Sequence, residues 1–203
     1  MSTIVHSYLR FPLKPPRHPL ALAVEAHWRQ QQGYQAPVVR QMRAMSLTMP
    51  SIVNHPNAIP WAGVLCRLGE ASTRPPGGSQ GHLVHIAPEV AQRALASLLG
   101  MAIDVEPQGL RVHAVRHKIG MVSEAYVEGA DLRVSGHVFA KDFADEVRML
   151  KRLQGQLGLS FEIADVDVLD PRDAIWDLTG FTFTGLAVLL KTSAAYQQTS
   201  FAL

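Results

Sequence analysis

Alternating apolar and polar positions dominate the chain from about residue 61 onward. This period of two is typical of half-buried β-strands. The tetrapeptide Glu128-Gly-Ala-Asp131 lies between two such runs and predicts a hairpin turn. Strands are predicted at 63–68, 82–87, 110–115, 119–127, 132–139, 159–169 and 181–190.

Two segments, 88–99 and 141–154, show helical periodicity instead. In the first, Pro88 suits the opening turn and Gly100 follows the last apolar residue. In the second, the apolar side chains fall on one side of a helix; they are Phe143, Val147, Leu150 and Leu153. Many strands with two inserted helices predict an α+β fold whose sheet is mainly antiparallel and barrel-like.

Residues 1–55 differ from the rest of the chain in composition and pattern. The stretch 10–19 contains four prolines and excludes a regular element there. We therefore expect an N-terminal arm or propeptide-like segment at 1–55 and a separate folded domain at 56–203. A propeptide, a segment that docks on a partner and a flexible arm all remain open for 1–55.

Composition narrows the classes of partner and cofactor. A formal net charge of +2 without a basic stripe argues against nucleic acid. No apolar run reaches the roughly 20 residues of a membrane helix, and no signal peptide is visible, so we expect no membrane partner. Cys66 is the only cysteine, which excludes an internal disulfide and cysteine-rich zinc sites. No cofactor is expected.

Ser160 is the candidate nucleophile. It follows Gly158 at a predicted helix-to-strand junction, where a glycine permits a close backbone approach. The alternative is a serine on an ordinary strand, since the surrounding residues do not form the Gly-x-Ser-x-Gly elbow. A hydroxyl nucleophile also needs a base within hydrogen-bond reach and usually a third group that orients the base.

The segment 113–117 offers two histidines as bases, His113 and His117. Their spacing is that of paired zinc ligands on a helix, but the zincin pattern needs Glu after the first histidine and here position 114 is Ala. A half-buried structural histidine is the simpler reading of each one taken alone. A metal-dependent hydrolase using both is the remotest of the alternatives.

Taken together in order, these segments resemble the prohead proteases of tailed bacteriophages, whose fold is shared with herpesvirus assemblin proteases. The resemblance covers about 61–196. It consists of a histidine before Ile119-Gly120, a hairpin, a helix, the Gly158-Leu-Ser160 motif and a last apolar strand at 181–190.

The resemblance implies a serine endopeptidase that cleaves phage scaffold and coat protein segments, and possibly itself, during procapsid maturation. It implies a location inside the assembling procapsid in the host cytoplasm, and the herpesvirus relatives suggest a homodimer. Ser160 is then the nucleophile, His113 the base and His117 the alternate base. The family's histidine is commonly followed by Asp, and Ala114 departs from that pattern.

The third catalytic residue is where the chain departs most from the family. Its members usually carry Glu or Asp in the last strand, and the alignment places Thr184 there. The resemblance leaves three outcomes: a weaker dyad assisted by Thr184, which we favour, a carboxylate from elsewhere such as Glu162 or Asp142, or an inactive homologue. The inactive homologue would have a structural or scaffolding role in head assembly.

Overall fold

The computed structural model describes residues 55–203 and the backbone of residues 45 and 46. The predicted N-terminal segment therefore lies almost wholly outside the described residues. Two short 3-10 helices, Leu95–Leu98 and Lys191–Ser193, supplement the regular elements. The strands are β1 Met45–Ser46, β2 Ala58–Arg67, β3 Leu83–Ile86, β4 Ala102–Val105, β5 Lys118–Glu128, β6 Asp131–Phe139, β7 Leu157–Val168 and β8 Ile175–Leu190, and the helices are α1 Pro88–Ala94 and α2 Ala144–Arg152.

One mixed sheet contains all the described strands. Its main path is β2-β6-β5-β4-β8-β3, with β1 paired to β5 and β7 paired to β8. The hairpin β5–β6 is antiparallel, as the sequence predicts, and β7 and β8 are antiparallel too, but β8 runs parallel to both β3 and β4. The expectation of a mainly antiparallel sheet is thus only partly confirmed. The α+β arrangement of strands with two helices is present in the described part of the chain.

The sheet is not closed into a barrel by strand pairing. Instead, the C-terminal tail, defined as residues 197–203, runs between β2 and β7. Ser200 N donates to Val64 O at 3.0 Å, and Phe201 N donates to Leu157 O at 3.2 Å. A Cβ added at Gly63 would lie 2.1 Å from Ser200 O, so a glycine is required where the tail crosses β2. The barrel-like expectation is partly met, since the tail fills the gap between the two strands.

Thr199 joins the tail to both strands through one buried hydroxyl. Its Oγ1 accepts from Leu159 N at 2.6 Å and lies 2.7 Å from Val64 O and 3.0 Å from Leu159 O. We expect Thr199→Val to lower the free energy of unfolding by about 1–3 kcal/mol, because the isosteric side chain leaves buried backbone groups without a partner. Denaturant unfolding measures the change. The exposed Thr184→Val is the matched control and should change stability by less than about 0.5 kcal/mol.

Both helices occur, although each is shorter than predicted. The first ends as α-helix at Ala94 and continues as the 3-10 turn Leu95–Leu98, and the second begins at Ala144. The predicted apolar face of the first is buried at Val90 and Leu98. No helix in residues 55–203 is long and apolar enough to cross a membrane.

The strand predicted at 110–115 is wrong. These residues belong to a loop between β4 and β5, here called the histidine loop and defined as residues 106–117. Leu110 has a positive φ of 52° and a buried side chain, and its carbonyl accepts from Leu190 N at 2.8 Å. One buried residue in a left-handed conformation anchors the loop and is incompatible with an extended strand. The neighbouring strand is β4, which the pattern did not predict.

Candidate active site

Ser160 lies near the start of β7, within a run from Leu157 to Ile163 that is buried at every position. The preceding turn contains Gly155 at φ 85°, which lets the chain leave α2 and enter the strand. A Cβ added at Gly158 would lie 2.3 Å from Thr199 Cγ2. The glycine of the Gly-x-Ser motif therefore serves close packing of the tail against the strand that carries Ser160.

His113 lies directly opposite this serine. Its Nε2 is 2.9 Å from Ser160 Oγ, a normal hydrogen-bond distance. The histidine loop brings the two together across 47 positions of the chain. The imidazole is 0% exposed and Ser160 is 3% exposed. A peptide carbonyl can thus reach Ser160 Oγ only after the covering atoms move aside.

Glu162 lies beside the other ring nitrogen of His113. Its Oε1 is 3.3 Å from His113 Nδ1, and its side chain is 10% exposed. Side chains two positions apart lie on the same face of a strand, so β7 presents both Ser160 and Glu162 toward the histidine. The 3.3 Å distance is longer than the usual 2.9–3.0 Å of an N–H···O bond, and the two atoms do not meet hydrogen-bond geometry. Such contacts often tighten only when substrate is bound.

This order of atoms fits general-base chemistry. With its proton on Nδ1 facing Glu162, the imidazole has an unprotonated Nε2 that can accept the Ser160 proton. The imidazolium formed in that step lies beside a carboxylate in a site that excludes most water, where their attraction is strong. The three side chains can therefore activate a serine hydroxyl for attack on an acyl carbon.

Thr184 does not lie in the place that we expected. Glu162 pairs with Gly185 and Ile163 with Phe183, so Thr184 is the extra residue of a bulge in β8, and it is exposed. The structure brings Glu162 to His113 instead. Asp142, the other carboxylate considered, is exposed and accepts from Asn57 Nδ2 at 2.8 Å.

His117 lies at the end of the histidine loop and faces away from the serine. Its Nε2 is 2.9 Å from Glu146 Oε1 on α2, and its ring packs edge-on against Phe143 with centroids 5.2 Å apart. These contacts join the loop to α2. The structure therefore places His113, and not His117, in reach of Ser160.

The sequence argument missed the carboxylates that shape the histidine loop. Glu106 accepts from Gln108 N at 2.9 Å and from Arg111 N at 3.4 Å. Asp104 on β4 is 0% exposed and accepts from Ala114 N at 2.9 Å. Asp104 could have been noticed because it lies inside the apolar run 101–105. An ionised side chain is seldom fully buried without a partner, so its position predicts a paired carboxylate.

Neither a cysteine nucleophile nor a metal site is supported among the described residues. Burial raises the pKa of the Cys66 thiol, so the thiol stays protonated and is not a competing nucleophile. Within residues 55–203, no group of three or more His, Cys, Asp and Glu side chains is placed to hold a metal ion.

No protein-family model matches the chain, and no curated protein matches it in sequence. Two solved structures of the Kaposi's sarcoma herpesvirus protease show a distant likeness. The complex with a hexapeptide phosphonate inhibitor is 11% identical, with a TM-score of 0.37, over 71% of this chain and 65% of that chain. The complex with an allosteric inhibitor is 9% identical, with a TM-score of 0.38, over 71% and 76%. A likeness at this level does not transfer an activity.

Proposed function

We propose that this chain is a serine endopeptidase that uses Ser160 as nucleophile, His113 as general base and Glu162 as the residue that orients and stabilises the histidine. The observation that carries the proposal is the continuous line of contacts, 2.9 Å from Ser160 Oγ to His113 Nε2 and 3.3 Å from His113 Nδ1 to Glu162 Oε1. All three side chains are nearly covered, which strengthens their mutual attraction.

The reaction has two halves that share one proton carrier. In the first half, Ser160 Oγ bonds to the peptide carbonyl carbon while its proton passes to His113 Nε2; the same proton then leaves with the amine as the C–N bond breaks. In the second half, His113 takes a proton from water, the water oxygen attacks the acyl carbon, and the proton returns to Ser160 as the ester bond breaks. The Glu162 carboxylate stabilises the imidazolium in both halves.

The proposed substrate class is taken from the resemblance of the segments, in their order along the chain, to prohead proteases. It assigns the enzyme to phage procapsid maturation inside the assembling head, with scaffold and coat protein segments as substrates.

A fluorophosphonate probe tests the serine chemistry without knowledge of the substrate. We expect the purified protein to form a covalent adduct at Ser160, located by mass spectrometry of peptides, because the probe reacts with a serine that a base has activated. Heat-unfolded protein is the control, since unfolding separates His113 from Ser160 and should abolish labelling.

The rival function is a structural role in head assembly without catalysis. The two proposals differ in the state of the Ser160 hydroxyl and therefore in its labelling. An adduct at Ser160 supports the protease. A folded protein whose Ser160 stays unmodified at saturating probe would overturn the protease in favour of the structural role.

A further inference from the structure

Two further charged residues, Asp104 and Lys118, lie close to the residues of the proposed site. Asp104 is 0% exposed, and the Glu162 side chain is 10% exposed. Lys118 at the start of β5 is about one-third exposed and is the cation of the group. With His113 neutral, two carboxylates and one ammonium leave a net charge of −1. That charge is cancelled when His113 accepts the Ser160 proton.

Lys118 lies close to both carboxylates. Its Nζ is 2.9 Å from Asp104 Oδ2. A Cβ added at Gly185 would lie 3.8 Å from Lys118 Nζ and 2.8 Å from Glu162 Oε2, so the two charged ends project into the same space beside β8. The glycine leaves room for this approach, because a larger residue would occupy the position between them.

Asp104 is tied to the histidine as well as to the lysine. One carboxylate oxygen binds Lys118 Nζ, and the other accepts from Ala114 N at 2.9 Å. Ala114 is the residue directly after His113. A single buried carboxylate thus fixes the backbone beside the base and holds the cation near Glu162.

We infer that Asp104 and Lys118 are positioning residues of the proposed protease, which together set the charge around His113 and fix the loop that carries it. The inference rests on the proposed function. Asp104 adds a negative charge that favours the imidazolium, and Lys118 adds a positive charge that opposes it. Their opposite effects on the imidazolium nearly cancel, and Glu162 is the carboxylate next to the base.

The remaining charged groups near the loop belong to other pairs or to the surface. His117 is paired with Glu146 on α2, and the Glu106 carboxylate accepts from the loop backbone. Arg111 and Arg116 are exposed, where water screens their charge. The methylene chain of Lys191 lies 3.3 Å from the position of a Cβ at Gly158. Of these groups, Asp104 and Glu106 contact the backbone of the histidine loop directly.

The test is the pH dependence of the fluorophosphonate labelling rate at Ser160, measured on the full chain. Lys118→Met leaves two carboxylates without the cation, so the midpoint of the acid limb should rise by about 0.5–1 pH unit. Asp104→Asn removes a negative charge and keeps Lys118, so the midpoint should fall by about the same amount. The double variant should return close to the midpoint of the unmodified protein. Lys118→Arg keeps the charge and should leave the midpoint unchanged.

Matched controls come from the exposed ion pair Asp170–Arg172 in the turn between β7 and β8. Asp170→Asn and Arg172→Met make the same changes of charge far along the strand from Ser160, and neither should move the midpoint by more than about 0.2 pH unit. If Asp104→Asn does not fold, the midpoints of Lys118→Met and Lys118→Arg are compared instead. Both variants are expected to fold, because Lys118 is partly exposed.

The outcomes separate this inference from the proposed function. Unmodified protein that is not labelled overturns the proposed function. If the unmodified protein is labelled but neither single variant shifts the midpoint, the role of Asp104 and Lys118 is overturned. The same holds if both single variants shift the midpoint in the same direction. In both cases the protease proposal still stands.

Discussion

Ser160→Ala is expected to abolish cleavage of co-expressed scaffold or coat protein, with a loss of at least about 10³-fold in rate. The reason is that the only hydroxyl within 2.9 Å of His113 Nε2 in the described chain would be removed. The fold should survive, because the change deletes one small side-chain atom, and the hydrogen bond to His113 that it removes is worth about 1 kcal/mol. Gel analysis of the processed protein and thermal unfolding of the variant measure the two effects.

The two histidines provide the internal comparison for that result. His113→Ala should reduce cleavage to nearly the level of Ser160→Ala, because both remove members of one catalytic unit and such losses do not add. His117→Ala should retain activity within about tenfold, since it removes only the link between the histidine loop and Glu146.

The opposite ranking would overturn the assignment of the base. If His117→Ala loses activity and His113→Ala keeps it, the loop must rearrange before catalysis and His113 is not the base. Cleavage by Ser160→Ala at the unmodified rate would remove Ser160 from the mechanism altogether.

The sequence pointed to the strand of the proposed nucleophile and to the segment of the proposed base for different physical reasons. Ser160 follows a helix with a clear apolar stripe and a glycine-containing exit, and both features are local. The sequence favoured His113 over His117 as the base, but the contact with Ser160 could not be predicted, because the loop is held by Asp104, Glu106 and the buried Leu110. Those contacts depend on how β4, β5 and β8 pack against one another, which a local sequence pattern does not show.

The parallel pairings of β8 could not be predicted from the sequence either. The residues of β8 have the apolar and β-branched composition of a buried strand, so the existence of a strand was predictable. Its first part pairs with β3 and its last part with β4, and neither pairing leaves a local mark in the sequence. The β8 bulge that makes Thr184 the extra residue has no composition signal either, so the alignment of strands could not show which residue lies beside His113.

Glu162→Gln is expected to lower the cleavage rate by about 10²–10⁴-fold with little change in substrate affinity. The amide has the shape of the carboxylate but no charge, so it cannot stabilise the imidazolium. If the amide NH₂ faces His113 Nδ1, the imidazole must carry its proton on Nε2 and can no longer accept one from Ser160. Comparison of kcat with KM on a cleaved peptide distinguishes this effect from a loss of binding.

Thr184→Val and Asp142→Asn are the matched controls for Glu162→Gln. Each replaces one of the other candidates for the third position by a side chain of similar size, and both residues are exposed. Both variants should keep cleavage within about threefold of the unmodified protein. A large loss in Thr184→Val together with a mild effect of Glu162→Gln would restore the threonine-assisted dyad, because a neutral acceptor would then suffice. A loss confined to Glu162→Gln means that this chain supplies the third residue from the strand of its nucleophile rather than from the last strand of the sheet.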